Sequence, residues 1–465
     1  MISKKNALEI LNACLETGGD YSEIYMEDLI QYGLKVENGI SEKPTAAQDI
    51  GAGIRILKGL RSVYGYTNDI SKNGLLKLAK DLSSSFDQSR ILKVENLKSL
   101  KRFQRCPITI ELDGSGKKEK VEHLRAASLA MQEADPRIVR AIVQLVSNRT
   151  RRWVFNSDGK ATTDERTYNR LYFTAVASES GKIEVSSDGP GSQKGYEFVK
   201  DFNVIGTAKN VALKAIRALS AVECPSGRMP VVIGNGFGGV LFHEACGHSL
   251  EASSVAKGLS VFANKKGEVI ASSIVNAYDD ATQENGAWGT INYDDEGNIG
   301  EKVQLIKDGV LNDYMVDMFN GRRMNARPNG HSRRQNYRFE PTSRMTNTYI
   351  DNGVSTVEEI IKNTELGLYA KSMGGGSVHP TTGEFNFGCD EAYIIRNGKI
   401  AEQVKGAILI GSGQEVLLNI DMIANDLKVA QGMCGSSSGS IPTIVGQPTI
   451  RIKSMVVGGR GGELK

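Results

Sequence analysis

Two of the five histidines in the chain lie five residues apart, at His243 and His248, and Glu244 directly follows the first. Neutral imidazole is a common zinc ligand, and a glutamate beside such a ligand can act as general base on a metal-bound water. The best-known zinc helix has the form H-E-x-x-H, in which the histidines are four residues apart. With the wider spacing in this chain, both histidines can reach one metal only if the backbone departs from a regular helix.

A regular helix does not place residues five apart on one face, because each residue advances about 100° and residues i and i+5 end about 140° apart. A π-type turn would bring the two histidines together, and such turns often occur at functional sites. Gly247 would allow the backbone to bend or the helix to end. The spacing thus predicts either a metal site on a distorted helix or two unrelated histidines, one at a helix end and one in a turn.

A catalytic zinc usually has three protein ligands and an open position for water. Cys434 lies in a loop rich in glycine and serine that could approach a metal closely, and a thiolate is a strong zinc ligand. The alternative for Cys434 is a small buried hydrophobic residue. The other candidates are Glu251, which would face the metal if the helix resumed, Cys246, which would need a sharp fold of the chain, His331 and His379.

The composition is that of an ordinary globular protein, with 465 residues, 40% hydrophobic and 24% charged. A net charge of +3 gives no reason to expect nucleic acid or acidic lipid as a partner. The sequence shows neither the apolar region of a signal peptide nor an apolar run long enough to span a membrane. The six scattered cysteines form no C-x-x-C motif. They predict reduced thiols and a cytoplasmic protein.

Hydrophobic patterns and turn signals predict an α+β fold with three domains. The first, residues 1–95, contains a hairpin joined at Lys58-Gly59-Leu60 and a helix capped by Ser71. The second, residues 110–222, is a further α+β domain. The third, residues 225–465, carries the helix of His243 and a large, mostly antiparallel β region in which one helix, Val357–Asn363, is predicted.

The segment Gly234–Gly239 matches G-x-G-x-x-G, the dinucleotide-binding fingerprint. No acidic residue about 20 positions further on could hold a ribose, so we reject a nucleotide site. We interpret the glycines as allowing close approach to neighbouring backbone or to a substrate. The acidic groups Asp279-Asp280 and Asp294-Asp295-Glu296 are predicted to lie in turns rather than to form a pair of catalytic carboxylates.

The sequence as a whole resembles the TldD/PmbA family of zinc metallopeptidases. The segment His243–His248 is similar to the H-E-x-x-x-H motif of the TldD-like, active branch of that family. Further similar stretches are Gly51–Arg55, Gly65–Asp69, Asp294–Gly297, Pro341–Thr348, Met373–Gly376, Gly383–Phe385 and Val445–Ile452. The segment Gly435–Ser440 departs from the family, in which we expect a lysine or glutamine.

The resemblance implies a metalloprotease that hydrolyses unfolded or small peptides. It implies His243, His248 and Cys434 as ligands of one Zn²⁺ per active chain, and Glu244 as general base. It also implies a dimer, either a homodimer or a heterodimer with a TldE/PmbA-like paralogue that lacks the motif.

Substrate-binding residues are also predicted. Arg344 or Tyr349 could stabilise the oxyanion of the reaction, and Asn347 could contact the substrate. An extended peptide could add as a strand to an exposed sheet edge, for which Gly374, Gly375 and Gly376 are the candidates. Two other functions stay open, a peptide-binding or chaperone-like protein with a structural metal, and a regulatory subunit that needs a partner chain for catalysis.

Overall fold

The chain folds into helices and sheets of the predicted α+β class. The computed structural model describes residues 2–112, 116–379 and 382–464. Within those ranges, none of the helices combines the length and the apolar character that a membrane crossing requires.

The longer helices begin at the residues that favour helix starts. Ser71 accepts a hydrogen bond from the Gly74 nitrogen and caps the second helix, as predicted. The helices are α1 (Lys4–Cys14), α2 (Lys72–Ser83), α3 (Lys117–Glu133), α4 (Tyr196–Asp201), α5 (Val204–Leu219), α6 (Val240–Phe242), α7 (Ala252–Val255), α8 (Met318–Met324), α9 (Val357–Lys362) and α10 (Gly413–Leu418).

The N-terminal half is built on one large sheet with the strand order β4-β3-β1-β6-β7-β5. Strand β2 also pairs with β1, and strands β8 and β9 pair with β7. The predicted hairpin is confirmed, since Lys58 of β3 pairs with Arg61 of β4. The strands are β1 (Tyr21–Glu37), β2 (Ile40–Ser41), β3 (Thr45–Lys58), β4 (Arg61–Thr67), β5 (Lys98–Ser99), β6 (Ile138–Asn156), β7 (Lys160–Glu179), β8 (Lys182–Asp188) and β9 (Gly191–Ser192).

The first two predicted domains share this sheet. Strand β1 pairs with β3 on one side and with β6 on the other, so hydrogen bonds run across the predicted boundary without a break. Helices α1 and α2 cover one end of the sheet. Helices α3 and α5 cover the other end, where Leu124, Ala212 and Phe173 belong to one hydrophobic core.

The C-terminal half contains two larger sheets. One has the order β10-β20-β19-β18-β11-β25-β21, with β22 beside β25, and the other has the order β14-β13-β12-β17-β24-β23. The strands are β10 (Val222–Glu223), β11 (Gly227–Ile233), β12 (Ala277–Asp280), β13 (Lys302–Lys307), β14 (Val310–Leu311), β15 (Ser332–Arg333), β16 (Thr342–Ser343), β17 (Asn347–Ile350), β18 (Leu366–Val378), β19 (Glu384–Arg396), β20 (Lys399–Lys405), β21 (Ile408–Ser412), β22 (Ile420–Ile423), β23 (Lys428–Ser436), β24 (Gly439–Gln447) and β25 (Ile450–Gly458).

Most pairings between the described strands of this half are antiparallel, as predicted, but three are parallel: β10 with β20, β11 with β18, and β17 with β24. The predicted helix is present as α9. The prediction of only one helix is wrong, because α8 and α10 also interrupt the strands. The equally short α9 has Val357, Ile360 and Ile361 at helical spacing. By contrast, α8 contains Gly321 and α10 begins at Gly413, and glycine is a poor helix former.

Candidate metal centre

The glycine-rich segment Gly234–Gly239 connects strand β11 to helix α6. A Cβ atom on Gly239 would lie 2.5 Å from the backbone nitrogen of Gly446 in β24. The segment therefore packs directly on strand β24, which is one of the two roles that the sequence predicts for these glycines. Because β24 pairs with β23 along its length, this contact places the next turn of helix beside the strand that carries Cys434.

Residues His243–Gly247 form a π-helical turn, which confirms the predicted distortion. The rings of His243 and His248 consequently lie side by side in an edge-to-face arrangement, with centroids 5.2 Å apart and an interplanar angle of 85°. Gly247 keeps ordinary helical angles, φ −53° and ψ −52°, so it does not end the helix. A Cβ atom on Gly247 would lie 2.2 Å from the sulfur of Met345, and close packing explains this glycine.

His243, His248 and Cys434 come together in space. One possible ligand atom from each lies within 4.8 Å of the other two, and Cys434 Sγ is 3.3 Å from His248 Nε2. Cys434 reaches this position because β23 forms a hairpin with β24, in which Cys434 pairs with Ile441. The structure therefore assembles the three predicted ligands at one point, although 186 residues separate His248 from Cys434.

The protonation of this cluster follows from its burial and its neighbours. Burial disfavours the thiolate of Cys434, but the imidazoles of His243 and His248 outweigh this effect and hold the pKa of Cys434 well below its usual value. Burial also disfavours a charged His248, yet Glu251 and Cys434 raise the pKa of His248 well above its usual value. The cluster is thus suited to a thiolate, the form in which cysteine binds metals.

Glu244 lies at the rim of the cluster. Its carboxylate oxygen is 3.7 Å from His248 Nε2, and its side chain is 28% exposed, whereas His243 is buried. The π turn thus directs two imidazoles inward and leaves the adjacent carboxylate in contact with solvent. This is the arrangement that a general base beside a metal needs.

The other candidate ligands lie elsewhere. Glu251 Oε2 is 3.3 Å from His248 Nδ1, so Glu251 orients the ring instead of joining the cluster. The sulfur of Cys246 is buried and points toward the carbonyl of Gly413. His331 is buried against Asp279 and Asn329. His379 accepts a hydrogen bond from the backbone of Thr382.

The structure does not support the predicted role of Arg344, Asn347 and Tyr349 in substrate binding, because all three side chains are buried. Arg344 bonds to Ser438 Oγ and to the carbonyls of Gly439 and Cys434. The amide of Asn347 is saturated by Gly289, Asp280 and Thr290. Tyr349 stacks on Tyr278 beside Lys302. All three side chains are therefore held among neighbouring protein groups.

Gly374, Gly375 and Gly376 lie in the outer part of strand β18. One edge of this strand pairs with β19, with a shift of register between Met373 and Gly376. Its pairing with β11 covers only Leu368–Ala370. Among the described residues, no strand pairs with that second edge beyond Ala370. Gly375 and Gly376 are exposed, and a Cβ atom on Gly375 would meet no atom within 4 Å.

The acidic groups have structural roles. Asp294, Asp295 and Glu296 lie at and around a turn, as predicted, but they are buried among arginines. The prediction of a turn at Asp279-Asp280 is wrong, since both residues belong to strand β12. Asp279 accepts hydrogen bonds from Thr346, Thr348 and His331, which lowers its pKa against the effect of burial.

Sequence reasoning weighed Glu251 only as a ligand and missed its contact with the far side of His248. Glu251 lies three residues after His248, and this spacing was the signal that could have indicated the contact. It also missed Met345 beneath the π turn and the contact of Arg344 with the hairpin of Cys434. Neither contact leaves a local pattern in the sequence, because both join segments about 100 residues apart.

Comparison with known proteins defines the class to which this fold and site belong. Residues 226–459 match the PmbA/TldA metallopeptidase C-terminal domain, residues 111–219 match the central domain, and residues 22–86 match domain 1. These matches cover most of the chain. The chain therefore belongs to the PmbA/TldD family of metallopeptidases.

Individual relatives agree with this assignment. A metalloprotease TldD homologue of Haemophilus influenzae is 34% identical and covers 98% of this chain and 97% of its own length. One from Buchnera aphidicola subsp. Schizaphis graminum is 35% identical over 95% of this chain and 93% of its own length. The crystal structure of TldE from Thermococcus kodakarensis is 17% identical with a TM-score of 0.75, over 95% and 97% of the two chains. That likeness shows a common fold.

Proposed function

We propose that this chain is a zinc-dependent peptidase that hydrolyses peptide bonds in unfolded or small peptides. The observation that carries the proposal is the convergence of His243, His248 and Cys434 within 4.8 Å, with the carboxylate of Glu244 beside them. Membership of a metallopeptidase family supports the same conclusion.

The residues present fit Zn²⁺. Two imidazoles and one thiolate form a donor set typical of zinc, and three protein ligands leave the open position of a catalytic site. The low pKa of Cys434 provides the thiolate without a large cost of deprotonation. Glu251 can accept the Nδ1 proton of His248, which leaves Nε2 free to bind the metal.

The protein groups then have distinct tasks in the reaction. Bound zinc would act as a Lewis acid toward water and the substrate carbonyl and would stabilise the oxyanion. Glu244 accepts the proton of the attacking water and passes it to the amine that leaves. Glu251 holds the ring of His248 in one orientation throughout.

The free edge of strand β18 supports a mode of peptide binding. An extended peptide can pair with Gly374–Gly376 through main-chain hydrogen bonds, which read little of its sequence. The exposed glycines allow the two backbones to approach closely. This edge replaces Arg344, Asn347 and Tyr349 as the proposed substrate contact.

We further propose a cytoplasmic dimer, either of two copies or with a TldE/PmbA-like paralogue. The fold shared with TldE supports a partner of the same architecture. Light scattering on the purified chain alone distinguishes the possibilities. A monomer that becomes a dimer only with the paralogue would exclude the homodimer.

The substitution Glu244→Gln tests the proposed function. Glutamine keeps the shape of the side chain but cannot accept the proton, so we expect a loss of about 10²–10⁴-fold in kcat for an unfolded peptide. Zinc content should remain that of the wild type, because Glu244 is not a ligand. Cleavage by the variant at the wild-type rate, with zinc bound, would refute the assigned role. Zinc in a wild type that cleaves no peptide would instead support a structural metal or a missing partner.

A further inference from the structure

A fully buried arginine lies between the two segments that supply the proposed ligands. Arg344 Nη2 donates to the carbonyl of Cys434 at 2.5 Å. Its Nη1 donates to Ser438 Oγ and to the carbonyl of Gly439, each at 2.8 Å. Three hydrogen bonds thus join one guanidinium to the hairpin that carries Cys434, including its turn.

The same guanidinium faces the carboxylate that orients His248. Arg344 Nε is 3.8 Å from Glu251 Oε1, and the other oxygen of Glu251 is 3.3 Å from His248 Nδ1. Both Arg344 Nε and Glu251 Oε1 are buried and have no hydrogen-bond partner of their own among the described residues. A small movement would therefore complete a bond between them.

We propose that Arg344 is a positioning residue that couples the two halves of the metal centre. It fixes the backbone of Cys434 directly and fixes the ring of His248 through Glu251. The inference rests on metal binding by His243, His248 and Cys434, as in the proposed function, but not on peptide hydrolysis.

Two physical arguments support this coupling. Groups that orient metal ligands commonly change metal affinity by about 10–100-fold when they are removed. Arginine suits the position because its planar fork can donate in several directions at once, whereas lysine presents a single point charge. Without the guanidinium, the buried carboxylate of Glu251 and the carbonyl of Cys434 would lose the donors that they face, which is costly in a buried site.

The test measures metal binding, not activity. Zn²⁺ affinity is determined by competition with a chromophoric chelator for the wild type, Arg344→Gln, Arg344→Lys and Glu251→Gln. Co²⁺ is then bound to each protein, and the thiolate-to-cobalt absorption band reports whether Cys434 still ligates. We expect about 10–100-fold weaker Zn²⁺ binding and an altered cobalt band for Arg344→Gln. Arg344→Lys should fall between this variant and the wild type.

Arg55→Gln is the matched control, since Arg55 is also fully buried and paired with carboxylates, Glu23 and Glu296, but touches no ligand. It should lower the melting temperature of the apo protein and leave Zn²⁺ affinity within about twofold of the wild type. Wild-type affinity and an unchanged cobalt band in Arg344→Gln would overturn the inference. An equal loss of affinity in Arg55→Gln would also overturn it.

If Arg344→Gln does not fold, the coupling is tested by the Zn²⁺ affinity of Glu251→Gln and of Ser438→Ala. The second substitution removes one contact of Arg344 on the hairpin. Weaker Zn²⁺ binding in both supports the coupling, and wild-type binding in both overturns it. A wild type that binds no zinc would refute the proposed function and this inference together. A wild type that binds zinc and cleaves peptides, with an Arg344→Gln variant of equal affinity, refutes the inference alone.

Discussion

At the scale of the residue, the candidate centre brings one thiol and two imidazoles together in one largely buried space. Burial disfavours a charged form of Cys434 and of His248, yet each favours the charge of the other across 3.3 Å. A metal cation at this point would replace the proton of His248 as the partner of the thiolate. The ligands thus lie in positions and in protonation states that suit metal binding.

Local spacing was sufficient to predict part of this centre. His243, Glu244 and His248 are marked by their residue types. Their spacing left two alternatives open, and the structure contains one of them, the distorted helix with a π turn. Cys434 could be assigned only through the resemblance to a family, because the pairing of β23 with β24 is a long-range contact. The complete burial of Arg344 was missed for a related reason, since nothing in its neighbourhood in the sequence indicates it.

At the scale of the element, the predicted hairpin and helix α2 follow from local turn and capping residues. The continuous N-terminal sheet was not predicted, because the pairing of β1 with β6 joins strands more than 100 residues apart. The unpaired edge of strand β18 also depends on long-range contacts that the sequence does not show. Its glycine run was visible in the sequence, but the free edge depends on where β11 turns away toward the metal centre.

The substitution Gly375→Trp tests the free edge of β18. The fold should tolerate the indole, because the space around Gly375 is open. A peptide backbone could no longer approach closely, so we expect KM to rise about tenfold through the loss of one or two main-chain hydrogen bonds. Zinc content should be unchanged, and Gly375→Ala serves as the control with nearly normal KM. An unchanged KM in the tryptophan variant would show that substrate binds elsewhere.

At the scale of the whole molecule, a buried ionic network connects the N-terminal sheet to the C-terminal half. Arg55 of β3 bonds to Glu23 of β1 and to Glu296, and Arg334 also bonds to Glu23. Burial disfavours the charge of Glu23, but its two guanidinium partners lower its pKa below the ordinary value. Glu296 accepts hydrogen bonds from Arg55 and from the backbone nitrogen of Met318. Burial, with Asp317 and Asp294 nearby, raises the pKa of Glu296 to about 8.

This network predicts a pH dependence of stability. Between the ordinary pKa of 4.5 and about 8, the folded protein holds a proton on Glu296 that the unfolded chain has lost. Stability should therefore fall as pH rises through this window. Glu296→Gln removes this contribution, so its melting temperature should fall less than that of the wild type as pH rises. Glu415→Gln, which changes an exposed ion pair with Arg228, is the control. Identical slopes in the wild type and Glu296→Gln would contradict the assignment.

The most direct test of the central claim is the metal content and the peptidase activity of the purified chain beside Cys434→Ala. The account predicts about one zinc per wild-type chain with cleavage of an unfolded peptide, and the loss of both in the variant. A well-folded wild type that contains no zinc when purified without chelators would contradict the account. So would a Cys434→Ala variant that keeps both zinc and activity.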